Sequence, residues 1–403
     1  MSRKLLQISC DSNWGSIGRI IEQIGTLSQI QGWDANVIYG RDSNASALKT
    51  YKAGNLWNVY EHYAEHRLFD NDGLASRKTT KLILKEIDRI RSDVIHLHNI
   101  HDHWLNYELL FDYLIKINKP VVWTQHDCWS FTGGCGYYSM RGCNQWQSKC
   151  VQCPIKHNKI IPLIDKTAIH YEKKKHLFNQ LSNLTLVPVS KWLENEIKKS
   201  FLSNKSICQI YNGVDVTTFK PLENDNIRTK LGVGEKNILL GVATTWAPRK
   251  GLSDYIHLSQ ILPSNMVIVL VGLTKQQCKK MPSSIIGLER TQNVNELVEL
   301  YSVANIVLNL SYEETFGLTT VEGFACGTPS IVYNCTASPE LITDNTGVVV
   351  SPGDIQGVAN AICKIEELGK SYYSNSCRER AVTMFNKDDR FADYINLYED
   401  LLK

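Results

Sequence analysis

The chain of 403 residues has no run approaching the roughly 18 continuous apolar residues that a membrane-spanning helix needs. Its stretch "MVIVLVGL" has only the length of a strand. The N-terminus, "MSRKLLQISC", is basic and then apolar, but the apolar part is too short for a signal-peptide core and turns polar at once. It reads as a first strand. The expected location is the cytoplasm, with peripheral contact at the inner face of the cell membrane left open. Excess charge is missing too. The formal net charge is +3, too small to point to a nucleic acid partner. There is no low-complexity tract and no short repeat. Hydrophobic residues make up 43% and charged residues 21%, as in an ordinary globular protein. The length exceeds what one hydrophobic core usually supports, so two domains are expected. A disulfide framework is also absent from the pattern. Most of the 12 cysteines stand singly in periodic segments, as Cys10, Cys208, Cys326 and Cys363 do, and read as buried free thiols.

What is present is an alternation. "KLLQIS" precedes "GRIIEQIGTLSQIQG", whose apolar residues recur at helical spacing, and "DANVIY" follows. "DVIHLH", "KPVVWTQ" and "LTLVPVS" are each followed by a helix-like stretch. Strand, helix, strand in this rhythm predicts an α/β fold with parallel sheet. The rhythm then restarts with "SICQIYNGVD", "NILLGVA", "MVIVLVG", "NIVLNLS", "PSIVY" and "TGVVVSP". The expected organisation is two doubly wound domains: 1–205, with a cysteine-rich loop at 128–157; 206–385; and an amphipathic helix at 386–403 able to cross back to the first domain. Doubly wound sheets bind ligands beyond the carboxyl ends of their strands, so two such domains are expected to face a deep cleft.

The segment "EETFGLTTVEGFACGTPSIV", residues 313 to 332, carries the most chemistry. A strand, "NIVLNLS", leads into it. A short helix is expected from about Leu318 to Cys326, because Gly327 suits a left-handed cap and Pro329 cannot continue the helix. Phe316, Gly317 and Leu318 then sit at the helix N-terminus, where N–H groups lack helical partners and the dipole favours an anion. Gly317 allows close approach of a phosphate to the backbone. Glu322 lies a turn further on, where its carboxylate can accept from vicinal hydroxyls such as those of a ribose. Glu314 lies before the helix, where it can accept from the hydroxyls of a second ring. Sugar, phosphate and sugar in a row describes a sugar nucleotide. A glutamate near a helix start can also be simple dipole compensation, and Glu322 alone does not separate the two readings.

The same segment closely resembles the E-x7-E signature of retaining glycosyltransferases with the two-domain GT-B fold, in the large glycogen-synthase-like family 4. The resemblance extends over essentially the whole chain, through "GSIGR", "DVIHLHN", "VVWTQHD", "VPVSKWL", "IYNGVDVTTFKP", "APRKG", "ASPELI" and "TGVVVSPGD". The stretch "HDCWSFTGGCGYYSMRGCNQWQSKCVQCP" is similar to a subgroup found in bacterial capsular and exopolysaccharide clusters. The resemblance implies that Lys250, with Arg249, grips a donor diphosphate. The family usually has an arginine six residues before this lysine, and here that position is Thr244. It also implies that His126 hydrogen-bonds the donor sugar, and that the loop carrying Gly15 and Gly18 lies near the donor phosphate or the acceptor. Those two glycines open a helix whose N-terminus favours an anion. They do not make the dinucleotide fingerprint, because the third glycine is missing.

Cys135, Cys143, Cys150 and Cys153 form a cluster, and its last pair has the C-x-x-C spacing that lets two thiolates share one Zn²⁺. Cys128 and His157 are spare candidates. A structural zinc stapling this loop is one reading, and disulfides are the weaker one in a cytoplasmic chain. The basic runs at Lys173 to Lys175 and in "IKKSFLSNK" read mainly as solvated faces, with contact to anionic lipid as the alternative.

The expected activity is transfer of a hexosyl unit from a nucleoside-diphosphate sugar to a hydroxyl of a glycan or polyprenyl-linked acceptor, with retention at the anomeric carbon. No Asp-x-Asp lies near a candidate phosphate site, so no cofactor is implied for the chemistry. Two competing readings are an epimerase or phosphorylase on the same fold, and a non-catalytic zinc-bearing partner in polysaccharide assembly. The first releases nucleoside diphosphate without an acceptor or not at all; the second shows no donor turnover and tolerates Glu322→Ala.

Overall fold

The structure is a computed structural model that describes residues 2–154, 162–223 and 226–403. It divides into two compact units, Met1–Tyr211 with Arg390–Lys403, and Asn212–Asp389.

The first unit is built on seven strands: β1 (Lys4–Ser9), β2 (Asp34–Tyr39), β3 (Lys49–Lys52), β4 (Val94–Leu97), β5 (Val121–Gln125), β6 (Leu184–Pro188) and β7 (Ser206–Ile207). Their order is β3-β2-β1-β4-β5-β6-β7 and every pairing is parallel. The inner strands are buried throughout, as expected of a sheet covered on both faces. The helix Gly15–Ile30 lays Ile20, Ile21 and Ile24 on the sheet. The helix Lys387–Leu401 contributes Phe391, Tyr394, Ile395 and Tyr398 to the same core as Leu5, Val94, Val122 and Val187. The polar tips of its tyrosines are satisfied there: Tyr398 Oη lies 2.6 Å from His96 Nδ1, and Tyr394 Oη accepts from Thr124 Oγ1 at 3.1 Å.

The second unit has six parallel strands: β8 (Asn237–Val242), β9 (Met266–Val271), β10 (Ile285–Leu288), β11 (Ile306–Asn309), β12 (Ser330–Tyr333) and β13 (Gly347–Val350). Their order is β10-β9-β8-β11-β12-β13. The strand order reverses between β8 and β11, the switch point beyond whose carboxyl ends such sheets bind ligands.

Two expectations are corrected. "SI" of the segment "SICQIYNGVD" does not begin the second sheet. As β7 it pairs with β6, and Cys208 N and Ile210 N continue that pairing to Leu186 O and Pro188 O at 3.0 and 3.2 Å. The compact units accordingly divide after Tyr211 and again after Asp389. β3, "KTYK", is an edge strand with no buried residue, so it gave no hydrophobic signal. Within the lysine run, Lys174 is buried, not solvated. Its Nζ donates to Trp129 O at 2.8 Å and sits 3.3 Å from the Trp129 ring centroid, and burial pulls its pKa down to about 7. Lys173 pairs with Glu108 at 2.5 Å.

Candidate active site

In the second unit, the loops after β8 and β11 meet. The first contains the short 3-10 turn Pro248–Lys250, ended by Gly251 at φ 70°. A side chain on Gly251 would collide with Leu310 O, so glycine is what lets this turn press against the end of β11. Two backbone contacts seal the approach: Tyr312 N donates to Arg249 O at 2.8 Å, and Arg249 Nη1 donates to Glu313 O at 3.0 Å. The turn delivers the Lys250 ammonium to the Glu314 carboxylate, where the two form an ion pair. Burial works against a charge on Glu314, but Lys250 and Arg249 outweigh it and hold its pKa below the usual value.

The helix that follows spans Leu318–Ala325. Its N-cap is Gly317, left-handed at φ 102°, with no side-chain cap and no acidic residue in the first turn. The N–H groups of this end therefore have no carboxylate of their own helix to offset the dipole. Gly327 closes the helix region at φ 74°. Phe316 is buried, with its ring edge-on to Phe385 at 5.6 Å, which anchors the loop from below. Glu322 stands beyond the first turn and accepts from Tyr301 Oη at 2.8 Å.

Sequence reasoning did not single out the residues that brace these loops. Asp254 Oδ2 accepts from both Tyr312 Oη and Tyr333 Oη, each at 2.7 Å. Thr336 Oγ1 accepts from Glu314 N at 2.9 Å. Tyr301 fixes Glu322. These partners are up to 79 residues apart in the chain, and no local periodicity announces them.

The remaining predicted residues lie in the first unit. Gly15, at φ 65° with open space beside it, begins the helix Gly15–Ile30, whose N-cap Trp14 makes no side-chain cap. At Gly18 a side chain would press on the Asn13 backbone, so glycine allows the loop to pack there. His126 follows β5. Its Nε2 lies 3.1 Å from His98 Nδ1, and His98 Nε2 lies 3.2 Å from Gln7 Oε1. Burial pulls the His126 pKa down to about 4, so it is a neutral hydrogen-bonding group at pH 7. Beside it, Asp127 binds His101 at 2.9 Å and accepts from Trp129 N at 2.9 Å. Burial opposes a charge on His101, but Asp127 and Asp102 push its pKa up to about 10.

Cys135, Cys143, Cys150 and Cys153 are all free thiols. Burial raises Cys135 to about 12 and Cys150 to about 11, and each feels the charge of the other three, or of two of them. They are near neighbours, but they are not the group of three metal-ligating side chains that the described residues bring within 4.8 Å of one another. Sulfurs around one zinc stand closer, at about 3.8 Å for Zn–S bonds of ~2.3 Å. His157 lies outside the described residues. No helix among the described residues is long and apolar enough to cross a membrane.

Comparison with known proteins agrees with this arrangement. Residues 223–382 match the profile "Glycosyl transferases group 1", and residues 19–218 match "Glycosyltransferase Family 4". The chain is 26% identical over 229 residues to N-acetyl-alpha-D-glucosaminyl L-malate synthase of Bacillus anthracis, covering 53% of this chain and 59% of that enzyme. It is 22% identical over 329 residues to a protein of Escherichia coli K12 described as the colanic acid biosynthesis glycosyl transferase WcaC, covering 76% of each. Among solved structures, Anabaena HepE in complex with UDP and glucose superposes with a TM-score of 0.67 at 15% identity, over 99% of this chain and 100% of that one. Two Rossmann-like parallel sheets with these profiles across both make the chain a GT-B-fold enzyme belonging to the group 1, family 4 glycosyltransferases.

Proposed function

We propose that the protein is a retaining glycosyltransferase. It moves a hexosyl unit from a nucleoside-diphosphate sugar to a hydroxyl of a glycan or polyprenyl-linked acceptor in surface polysaccharide synthesis. One observation carries the reading: Lys250, Arg249 and Glu314 converge beside the uncapped, glycine-led N-terminus of Leu318–Ala325, at the strand-order reversal of the second sheet. The UDP and glucose in the HepE structure and the polysaccharide role given for WcaC support it.

In the reaction, the bond from the anomeric carbon to the diphosphate oxygen breaks and a bond to the acceptor oxygen forms on the same face. The acceptor proton passes to the departing diphosphate. Negative charge grows on that diphosphate, and preorganised donors aimed at it lower the barrier. An ammonium has three donors, and Glu314 takes one from Lys250. The others, with Arg249 and the N–H groups at Gly317 and Leu318, are the donors in question. Glu322 and Glu314 position the rings and do not react, which is a proximity role. In the first unit, His126 offers a neutral imidazole to a sugar hydroxyl, and the helix end at Gly15 and Gly18 offers an anion site. A zinc on Cys135, Cys143, Cys150 and Cys153 is proposed as a structural staple of their loop, outside the chemistry; loading it requires the sulfurs to draw together.

The test is a thermal-shift screen against UDP-, GDP- and ADP-sugars. It is followed by measurement of nucleoside diphosphate release with and without acceptor, and of the product anomer by NMR. Stabilisation by one donor class, release that depends on acceptor, and a retained anomer are expected. An inverted anomer or acceptor-independent epimerisation overturns the proposal.

A further inference from the structure

The N-terminal unit contains a group of side chains that sugar transfer does not use. The helix Leu56–Phe69 puts His62 and His66 one turn apart on its buried face. Asn55 caps its start in a reciprocal pair with Asn58, and it ends at Asp70, left-handed at φ 52°. The chain then turns back. Leu74 N donates to Asn71 O at 3.0 Å, and Gly73 N donates to His62 Nε2 at 3.0 Å. Because that nitrogen accepts, the His62 proton is on Nδ1, which donates to Ser76 Oγ at 2.8 Å. Both His62 nitrogens are thus committed. The turn sets Asp72 against the end of the helix. From the loop after β4 comes His103, at φ 65° directly after Asp102 at φ 74°. Two adjacent non-glycine residues in the left-handed region are strained and persist only where the surroundings fix them.

Three donor atoms meet here. His66 Nδ1 and His103 Nε2 are 2.8 Å apart. Asp72 Oδ1 is 4.0 Å from the first and 3.9 Å from the second. A point equidistant from all three lies about 2 Å from each, the length of a bond from Zn²⁺ to an imidazole nitrogen or a carboxylate oxygen. A proton shared between the two imidazoles accounts for their separation but leaves the carboxylate unserved: Asp72 Oδ1 is buried and accepts no hydrogen bond. A cation at the common point serves all three. Asp70 Oδ1 stands 3.6 Å from His66 Nε2, on the far side of the ring, a carboxylate just outside hydrogen-bond distance.

We propose that His66 Nδ1, Asp72 Oδ1 and His103 Nε2 bind one divalent transition ion of the Zn²⁺ class. Two imidazoles and a carboxylate suit such an ion better than Mg²⁺ or Ca²⁺, which take all-oxygen shells. The ion ties the end of the helix Leu56–Phe69 to the loop after β4. That loop also carries His101, which holds Asp127 beside His126, so the ion fixes the anchor of that pair. Three protein ligands leave the ion a position for water.

The test uses the full chain, stripped with a chelator and titrated with Co²⁺ and Zn²⁺. Wild type is expected to gain a visible d–d absorption with Co²⁺. Asp72→Asn and His103→Gln are each expected to lose one metal equivalent and that absorption, with far-UV circular dichroism unchanged. Metal on the cysteine loop is recognised separately by a thiolate-to-cobalt charge-transfer band, which both variants keep. Wild-type stoichiometry and visible spectrum in both variants overturn the proposal. Where a variant fails to fold, X-ray absorption of zinc-loaded wild type decides: nitrogen and oxygen neighbours at about 2.0 Å support the site, and a shell of sulfur alone overturns it.

Discussion

Lys250 and Glu314, 64 residues apart in the chain, form one ion pair where the loops after β8 and β11 meet, and both side chains are largely buried. Removing one partner leaves the other charged and badly solvated. Lys250→Ala is expected to lower kcat about 100-fold, the effect of deleting one well-placed donor to a developing anion. Glu314→Ala lowers it less. The double variant should be less impaired than the product of the two, with a coupling of about 1–3 kcal/mol. Steady-state kinetics on the four proteins checks this, and strictly additive losses would break the link between the pair and the chemistry.

Tyr301 holds Glu322 through one hydrogen bond. Tyr301→Phe keeps the ring and removes this hydrogen bond from the carboxylate, so donor KM is expected to rise about fivefold, near 1 kcal/mol, with kcat nearly unchanged. Glu322→Ala should raise it further. A fall in kcat at constant KM would instead place Glu322 in the bond-breaking step.

Gly251 has the positive φ and the crowded position that admit no side chain. Gly251→Ala is expected to destabilise the second unit by about 2 kcal/mol or more, and to depress turnover by displacing Lys250. Urea unfolding and the rate together test it. A variant with the wild-type midpoint and wild-type rate would show that the turn has room to relax.

Burial pulls His126 and His62 to about 4 and holds His96 and His98 well below the ordinary imidazole value. An unfolded histidine titrates near 6.5, so between about pH 6.5 and 4 the unfolded chain binds the extra protons. Stability from these groups is complete above about pH 6.5 and falls as pH drops toward 4. The effect is on the order of 2 kcal/mol for one such imidazole. Urea midpoints measured from pH 7.5 to 4.5 should decline, and His126→Gln should flatten part of the slope. An unchanged slope would mean that His126 is not held neutral.

Much of the fold was written in local pattern. The strands "KLLQIS", "DANVIY", "NILLGVA" and "MVIVLVG" are continuous apolar runs because their sheets are covered on both faces, and such runs are visible without a structure. The helix Leu318–Ala325 was legible because a glycine starts it and a left-handed glycine followed by proline ends it. β7 was misassigned because two residues carry no periodicity, and only its pairing with β6 says which sheet it joins.

The sequence by itself determined the alternation of strands and helices, the glycine-flanked helix start with its two glutamates, and the run of motifs that fixes the family. These are local properties, set by side-chain periodicity and by backbone angles that one residue type permits. Tertiary structure alone decided that Glu314 meets Lys250, that Tyr301 reaches Glu322, that Lys174 is buried, and that His66, Asp72 and His103 share one point. Those pairings depend on how distant segments are stacked by the sheets, and stacking is settled by the packing of the whole core.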